Sequence, residues 1–302
     1  MTGLLEIQGL TKRFGRTEVL RGISLSVPRG AIYGFVGRNG AGKTTTIECA
    51  LGLLRADGGE IRLLGRPPRE ICRSGGRIGI ALDVPGLHPH LTVREELEHA
   101  ALFTGREGRT TAQVLALAGI GEFASRKTRK LSLGNRRRAA IALAILGRPE
   151  LVILDEPFSG LDPPGVEDLL SLFVRLREGG TTVLFSSHQL ELVERVSTHL
   201  GLIHEGRMVR EGPLGEILVG AAPRLRIRVD SADRALTALG GRRASVSPSP
   251  EGGWILDLEM DGTEDPAEIN AAIVRAGVAV SELRTERCSL SRVFRDVLEG
   301  RP

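Results

Sequence analysis

Aromatic residues are nearly absent: one Trp, one Tyr and eight Phe, 3% of 302 residues. Stacking platforms for single-stranded nucleic acid need aromatics interleaved with basic residues, and that pattern is missing, so no nucleic-acid partner is expected. The core must be built mostly from Leu, Val, Ile and Ala. Cysteine is scarce too. Cys49, Cys72 and Cys288 are odd in number and match no zinc or redox spacing; free thiols in a reducing cytosol are expected. No apolar run approaches the ~20 residues needed to span a bilayer. The opening MTGLLEIQGLTKRFG lacks the apolar stretch of a signal peptide. The expectation is a soluble protein that reaches a membrane only through other chains. Nor is there a strong excess of one charge. The 41 Lys and Arg against 37 Asp and Glu leave a net +4, which suits phosphate ligands or an anionic surface without demanding DNA.

What is present is enough apolar material, 41% of the chain, for one large domain or a large and a small one. From Leu4 to about Gly220 strand-like and helix-like pieces alternate. LLEIQGL and GISLSV show β alternation, and AIYGFVG is a short apolar run of the kind found in buried strands. The helical pattern KTTTIECALGLL follows, then the strand IRLLG. Pro85 to Leu146 is mostly helical, with loops at Gly105–Gly108 and Gly119–Gly121. LVILD and TTVLFSS are two further buried strands. This is an α/β layer with a helical insertion. Near Gly220 the character changes, and strands alternate with short helices as far as SLSRVFRDVLEG. The division expected is 1–220 for the main domain and 221–302 for a small α+β domain.

GRNGAGKTT, Gly37 to Thr45, matches G-x-x-x-x-G-K-[ST] between a strand and a helix. Gly37, Gly40 and Gly42 let the backbone curl, with Arg38, Asn39 and Ala41 completing the loop, so that N–H groups face a phosphate. The helix that follows adds its N-terminal dipole. Lys43 is placed to reach β and γ phosphates, Thr44 to hold Mg²⁺, and Thr45 ends the motif. A chance glycine-rich turn is the bland alternative. Asp155 ends an apolar strand, where a Mg²⁺-binding carboxylate would sit, and Glu156 beside it is a candidate general base. Two acids after a strand can also simply cap what comes next.

Together GRNGAGKTT, LSLGN, LVILDEP, SGLD and SSH, in this order, resemble the nucleotide-binding subunit of ABC transporters over Leu4 to about Gly220. The resemblance implies a P-loop NTPase of ABC ATPase type, with a RecA-like core, an antiparallel β subdomain and a helical subdomain. It implies ATP and Mg²⁺ as ligands. Phe14 falls where the family stacks an aromatic on adenine, although a core or exposed-strand Phe fits the spacing equally well. Asp155 matches the metal-binding aspartate, Glu156 the catalytic glutamate, Ser159 to Asp162 the loop crossing the dimer interface, and His188 the histidine that contacts the γ-phosphate. Ser132 and Gly134 match the loop that binds ATP held by a second chain. The implied assembly is a homodimer, or a heterodimer with a related chain, on the inner face of the membrane beneath a separate permease.

Leu133, Asn135, Asp83 and Arg38, which replaces a usual proline of the phosphate loop, depart from the family pattern. Leu133 and Asn135 replace a glycine and a glutamine in the signature; such a Leu resembles the branch that exports drugs and peptide antibiotics. Asp83 stands where most members have Gln, a position linked to Mg²⁺, catalysis and coupling to the permease. The stretch KLSLGNRRRAAIALAIL places Arg136, Arg137 and Arg138 in the first turns of a helix with Ser132 as N-cap. Cations there oppose the helix dipole. At about 100° per residue they fan over different faces, so some should pair with acids of their own chain; Arg136 and Arg137 are read as solvated.

The reading is an ATP-hydrolysing subunit that drives export of a drug, peptide antibiotic or lipid-like substrate. A soluble non-transport ABC ATPase or regulator is the alternative, disfavoured by one phosphate loop and no long heptad tract. A P-loop kinase would account for Lys43 and Asp155 but not for LSLGN or SSH. Deleting the chain after about Gly220 is expected to leave ATP binding intact, as measured by equilibrium titration. A folded truncation that no longer binds would overturn the domain boundary.

Overall fold

The five buried residues Ile32–Val36 form the central strand of a six-stranded sheet. The structure, a computed structural model, describes residues 3–103, 108–219, 224–242, 244–260, 264–286 and 289–298. Chain contacts divide it into two units, Met1–Leu214 and Gly215–Pro302. In chain order the first unit contains β1 (Leu5–Phe14), β2 (Thr17–Val27), β3 (Ile32–Val36), α1 (Lys43–Ala50), β4 (Gly58–Leu63), β5 (Ile78–Ala81), α2 (Val93–Ala101), α3 (Thr111–Leu117) and α4 (Leu133–Ile145). It continues with β6 (Leu151–Leu154), α5 (Pro163–Glu178), β7 (Thr182–Ser187), α6 (Leu190–Val196), β8 (His199–His204) and β9 (Arg207–Pro213); α7 (Leu214–Val219) follows.

The main sheet has the order β5-β6-β7-β3-β8-β9, parallel except for β9. β3, β6 and β7 are buried throughout, as strands covered on both faces must be, and their continuous apolar runs reflect this. A second, antiparallel sheet has the order β2-β1-β4. In β1 the buried Leu5, Ile7 and Leu10 face a shared core with Leu20 and Ile23 of β2, Tyr33 and Phe35 of β3, and Ile47 of α1. The single tyrosine is fully buried in this core. Its hydroxyl donates to Glu211 Oε1 at 2.9 Å, and the same oxygen accepts the Ser26 N–H at 2.7 Å. Burial, reinforced by the Glu211 charge, pushes the Tyr33 phenol well above its usual range. β5, β8 and β9 were not evident as strands in the sequence. β5 has only four residues, and β9 is a half-exposed edge strand with little apolar alternation.

α2 and α3 each begin with a capping box, Thr92 with Glu95 and Thr110 with Gln113. α4 packs on both of them and on β5. It starts at Leu133, and Ser132 Oγ accepts the Asn135 N–H at 3.2 Å as N-cap. The scarce aromatics are concentrated. Phe158, Phe173 of α5 and Phe185 of β7 form a triad with ring centroids 5.1 to 5.7 Å apart. Burial raises the Cys49 thiol to about 11; Cys72 is exposed, and Cys288 lies outside the described residues, as do Gly220 and part of the loop expected at 105–108.

The second unit contains β10 (Arg224–Val229), α8 (Ala232–Ala238), β11 (Ala244–Pro248), β12 (Trp254–Glu259), α9 (Pro266–Arg275), β13 (Val280–Glu286) and α10 (Leu290–Leu298). Its antiparallel sheet runs β11-β12-β10-β13. From β10 to β13 the element order is that of a split βαβ, ferredoxin-like unit. Leu225, Ile227 and Val229 pack against Ala235 of α8 and Ile269 and Ile273 of α9, while Arg224, Arg226 and Arg228 alternate with them and turn to the other face.

Phe173→Ala removes a fully buried member of the aromatic triad. It should lower stability by about 3–5 kcal/mol, measured by equilibrium denaturation. A loss below about 1 kcal/mol would mean that the triad does not hold α5 to the sheet.

Candidate active site

The C-terminal ends of three strands and the start of one helix converge here. The phosphate-loop segment follows β3, and Gly42 caps α1 with φ 109°, a left-handed conformation that side chains rarely adopt. A Cβ at this position would also lie 2.7 Å from the Leu20 side chain. Lys43, only 6% exposed, donates from Nζ to the Gly37 carbonyl at 2.8 Å and to Arg38 O at 3.4 Å. It also pairs with Glu156 Oε1 at 3.2 Å. Gly37 N–H donates to Ser187 O at 3.4 Å, tying the loop to the end of β7.

Asp155 follows β6 and is 2% exposed. Thr44 Oγ1 donates to its Oδ2 at 2.8 Å, and Ser186 Oγ donates to its Oδ1 at 2.5 Å. No Lys or Arg pairs with this buried carboxylate among the described residues, so its charge is met only by hydroxyl dipoles. A buried anion without a counter-charge is costly, and hard oxygen ligands suit Mg²⁺. No group of three or more His, Cys, Asp and Glu that could hold a metal occurs among the described residues. The side chains here that could hold such an ion are the Thr44 hydroxyl and the Asp155 carboxylate, a one-carboxylate set of the kind that leaves the remaining positions to phosphate and water.

Glu156 has φ 46°, a conformation that costs a non-glycine residue about 1–3 kcal/mol and clusters at functional sites. Its N–H donates to Ser186 Oγ at 2.8 Å. The carboxylate lies between Lys43 and His188, whose Nδ1 is 2.9 Å from Oε2. Lys43, Thr44, Asp155, Glu156 and His188 thus form one connected cluster.

Asp83 reaches this cluster through Arg137. Arg137 was expected to be solvated; it is 4% exposed. Its Nη2 donates to the Asp83 carbonyl and to Asp83 Oδ1, both at 2.6 Å, and its Nη1 donates to the Glu156 carbonyl. Arg138 donates to Gly119 O at 3.1 Å and pairs with Asp168 at 3.3 Å and Asp162 at 4.0 Å. Arg136 alone of the three is exposed. The cations that oppose the dipole of α4 are mostly neutralised within the chain. Ser186 was also missed: its hydroxyl sits inside the SSH motif, but only the fold shows that it faces Asp155.

Phe14, Ser132 and Gly134 make no hydrogen bond or ion pair with the phosphate loop among the described residues. Phe14 ends β1 half exposed, with Lys12 Nζ 5.4 Å from its ring centroid. Gly134 packs against the SGLD segment, where a Cβ would lie 2.9 Å from the Gly160 carbonyl. The Leu133 side chain also packs against Gly160 and leaves half of its own surface exposed. Ser186→Ala would remove one hydroxyl from the buried Asp155 carboxylate and the acceptor of the Glu156 N–H. The expected loss is about 1–3 kcal/mol, read by equilibrium denaturation; unchanged stability would show that neither bond contributes.

Residues 20–159 match the ABC transporter family. The bacitracin transport ATP-binding protein BcrA of Bacillus licheniformis is 39% identical over 72% of this chain and 72% of its own length. The protein of the same name from Enterococcus faecalis is 32% identical over 99% of this chain and 98% of its own, so its similarity extends through the second unit. A solved structure titled as the ATP-binding subunit of an ABC transporter superposes with TM-score 0.65 and 29% identity, covering 72% of this chain and 92% of that one. With the phosphate-loop fold and the connected cluster at its strand ends, these similarities establish that the chain belongs to the ABC transporter family, as an ATP-binding subunit with an ABC ATPase fold.

Proposed function

We propose that this subunit hydrolyses ATP to power export of a peptide antibiotic or similar amphipathic compound through a separate membrane permease. The observation that carries the hydrolytic reading is the strained Glu156, held between Lys43 and His188 and next to the Thr44–Asp155 pair. Cargo class is inferred from relatives named for bacitracin, lantibiotic and linearmycin. No helix among the described residues is long and apolar enough to cross a membrane, so the transport path is assigned to the permease and this subunit to its cytoplasmic side. Val84, 80% exposed beside Asp83, and the segment from Gly86 to Glu98 are assigned to that contact.

In the proposed mechanism Lys43 exchanges the Gly37 and Arg38 carbonyls for β- and γ-phosphate oxygens. Thr44 and Asp155 would hold Mg²⁺, with Asp83 as a further candidate ligand, and the ion would supply charge withdrawal from the phosphates. Phe14 stacks on adenine. Glu156 accepts a proton from water as the water oxygen bonds to the γ-phosphorus and the bond to the β–γ bridging oxygen breaks. His188 fixes the Glu156 carboxylate through Nδ1 and presents its other nitrogen to the γ-phosphate. The chain has one phosphate loop and one LSLGN loop. Ser132 and Gly134 are accordingly assigned to the ATP of a second chain, so that two sites are completed in a head-to-tail dimer.

Glu156→Gln should reduce hydrolysis by at least 10²-fold, in line with loss of a general base, while ATP still drives dimer formation in size-exclusion chromatography. Turnover at the wild-type rate would remove Glu156 as the base. In mixed dimers, one Ser132→Arg chain paired with one Lys43→Ala chain should leave one of the two composite sites intact. Hydrolysis at the wild-type rate in a Ser132→Arg homodimer would contradict completion of the site by the partner.

A further inference from the structure

Arg137 has no part in the chemistry described above, yet it touches two of its components. Asp83 follows β5 and Glu156 follows β6, which are neighbours in the sheet with Ala81 opposite Leu154. Arg137 comes from neither strand. It projects from the second turn of α4, the helix whose N-cap is Ser132. Its guanidinium spans the two strand ends, with Nη2 on the carbonyl and carboxylate of Asp83 and Nη1 on the carbonyl of Glu156. That second bond falls on the peptide of the residue with φ 46°, so it favours the backbone conformation that directs the Glu156 carboxylate to Lys43 and His188. A planar fork of donors can serve two carbonyls and a carboxylate at once; an ammonium cannot do so with the same geometry.

We infer that Arg137 is a positioning residue for hydrolysis: a clamp from the LSLGN helix that sets the backbone of Glu156 and holds Asp83 beside it. The inference rests on Glu156 being the general base. It also gives Asp83 a role besides that of metal ligand. The carboxylate of Asp83 completes the anchoring of Arg137, and a displacement of α4 is transmitted to the base through one side chain. The Asp at this position and the Arg on the helix act as a pair, because the buried guanidinium would otherwise lack its counter-ion.

The test is a double-mutant cycle on the full chain with Arg137→Lys, Asp83→Asn and the two combined. Each is assayed for ATPase kcat, ATP affinity by equilibrium titration and thermal unfolding. Arg137→Lys should lower kcat tenfold or more with ATP affinity within twofold of wild type. Asp83→Asn, which keeps the backbone bonds to Arg137, should cost about threefold. The combined variant should be no slower than Arg137→Lys alone. Equal kcat in Arg137→Lys and wild type overturns the clamp, as do multiplicative losses in the double variant, because Asp83 would then act independently of Arg137. If Arg137→Lys does not fold, Asp83→Asn decides: an unchanged kcat, or a loss that saturating Mg²⁺ restores, overturns the inference. Glu156→Gln measured alongside separates the two readings. Its full activity sinks the general-base assignment, whereas an inactive Glu156→Gln with an unimpaired Arg137→Lys sinks the clamp alone.

Discussion

The buried carboxylate of Asp155 joins what would otherwise be separate parts of the site. It sits at the end of β6, is bonded by Ser186 of the neighbouring β7, and is bonded by Thr44 from the helix that follows β3. Two hydroxyl hydrogen bonds to a charged acceptor contribute on the order of 1.5–3 kcal/mol each, but they do not neutralise it. The same two side chains therefore fix the phosphate-loop helix relative to the sheet and leave the carboxylate without a cationic partner among the described residues. The Ser186 hydroxyl also accepts the Glu156 N–H, so the neighbouring residue is placed by the same contact.

The parallel sheet explains why these groups meet. β5, β6, β7 and β3 point the same way, so the residues after each of them emerge at one edge. Asp83, Asp155–Glu156, His188 and the phosphate loop come from those four ends. α4 adds a fifth component from the side. Packed on β5 and on the helices before it, it brings Arg137 under the strand ends and Arg138 to the acids at the start of α5. Two of the arginines that look misplaced against a helix dipole, Arg137 and Arg138, thus meet carboxylates and carbonyls a few ångströms away.

Much of this was legible in the sequence because the relevant features are local. GRNGAGKTT requires a strand before it and a helix after it, and both are present. LVILD and TTVLFSS are apolar runs too short for helices, and both are buried strands. In the second unit RLRIRV alternates Arg with Leu, Ile or Val and forms β10, whose apolar face is buried. Less was legible where burial depends on distant chain. IGIA is only four residues long and becomes a strand by pairing with β6. The edge strand β9 carries too many polar residues to stand out.

The sequence by itself determined the order of motifs, the identity of the phosphate-binding loop and the residue types available for chemistry. These follow from local backbone geometry and from side chains whose function is tied to a short spacing. Tertiary structure decided which polar side chains were buried and with what. Arg136, Arg137 and Arg138 are chemically identical and adjacent, yet one is in solvent, one is buried between Asp83 and Glu156, and one pairs with Asp162 and Asp168. No local rule separates them. Their environments are set by the rotation of α4 against the sheet, and that rotation is fixed by packing across segments far apart in the chain.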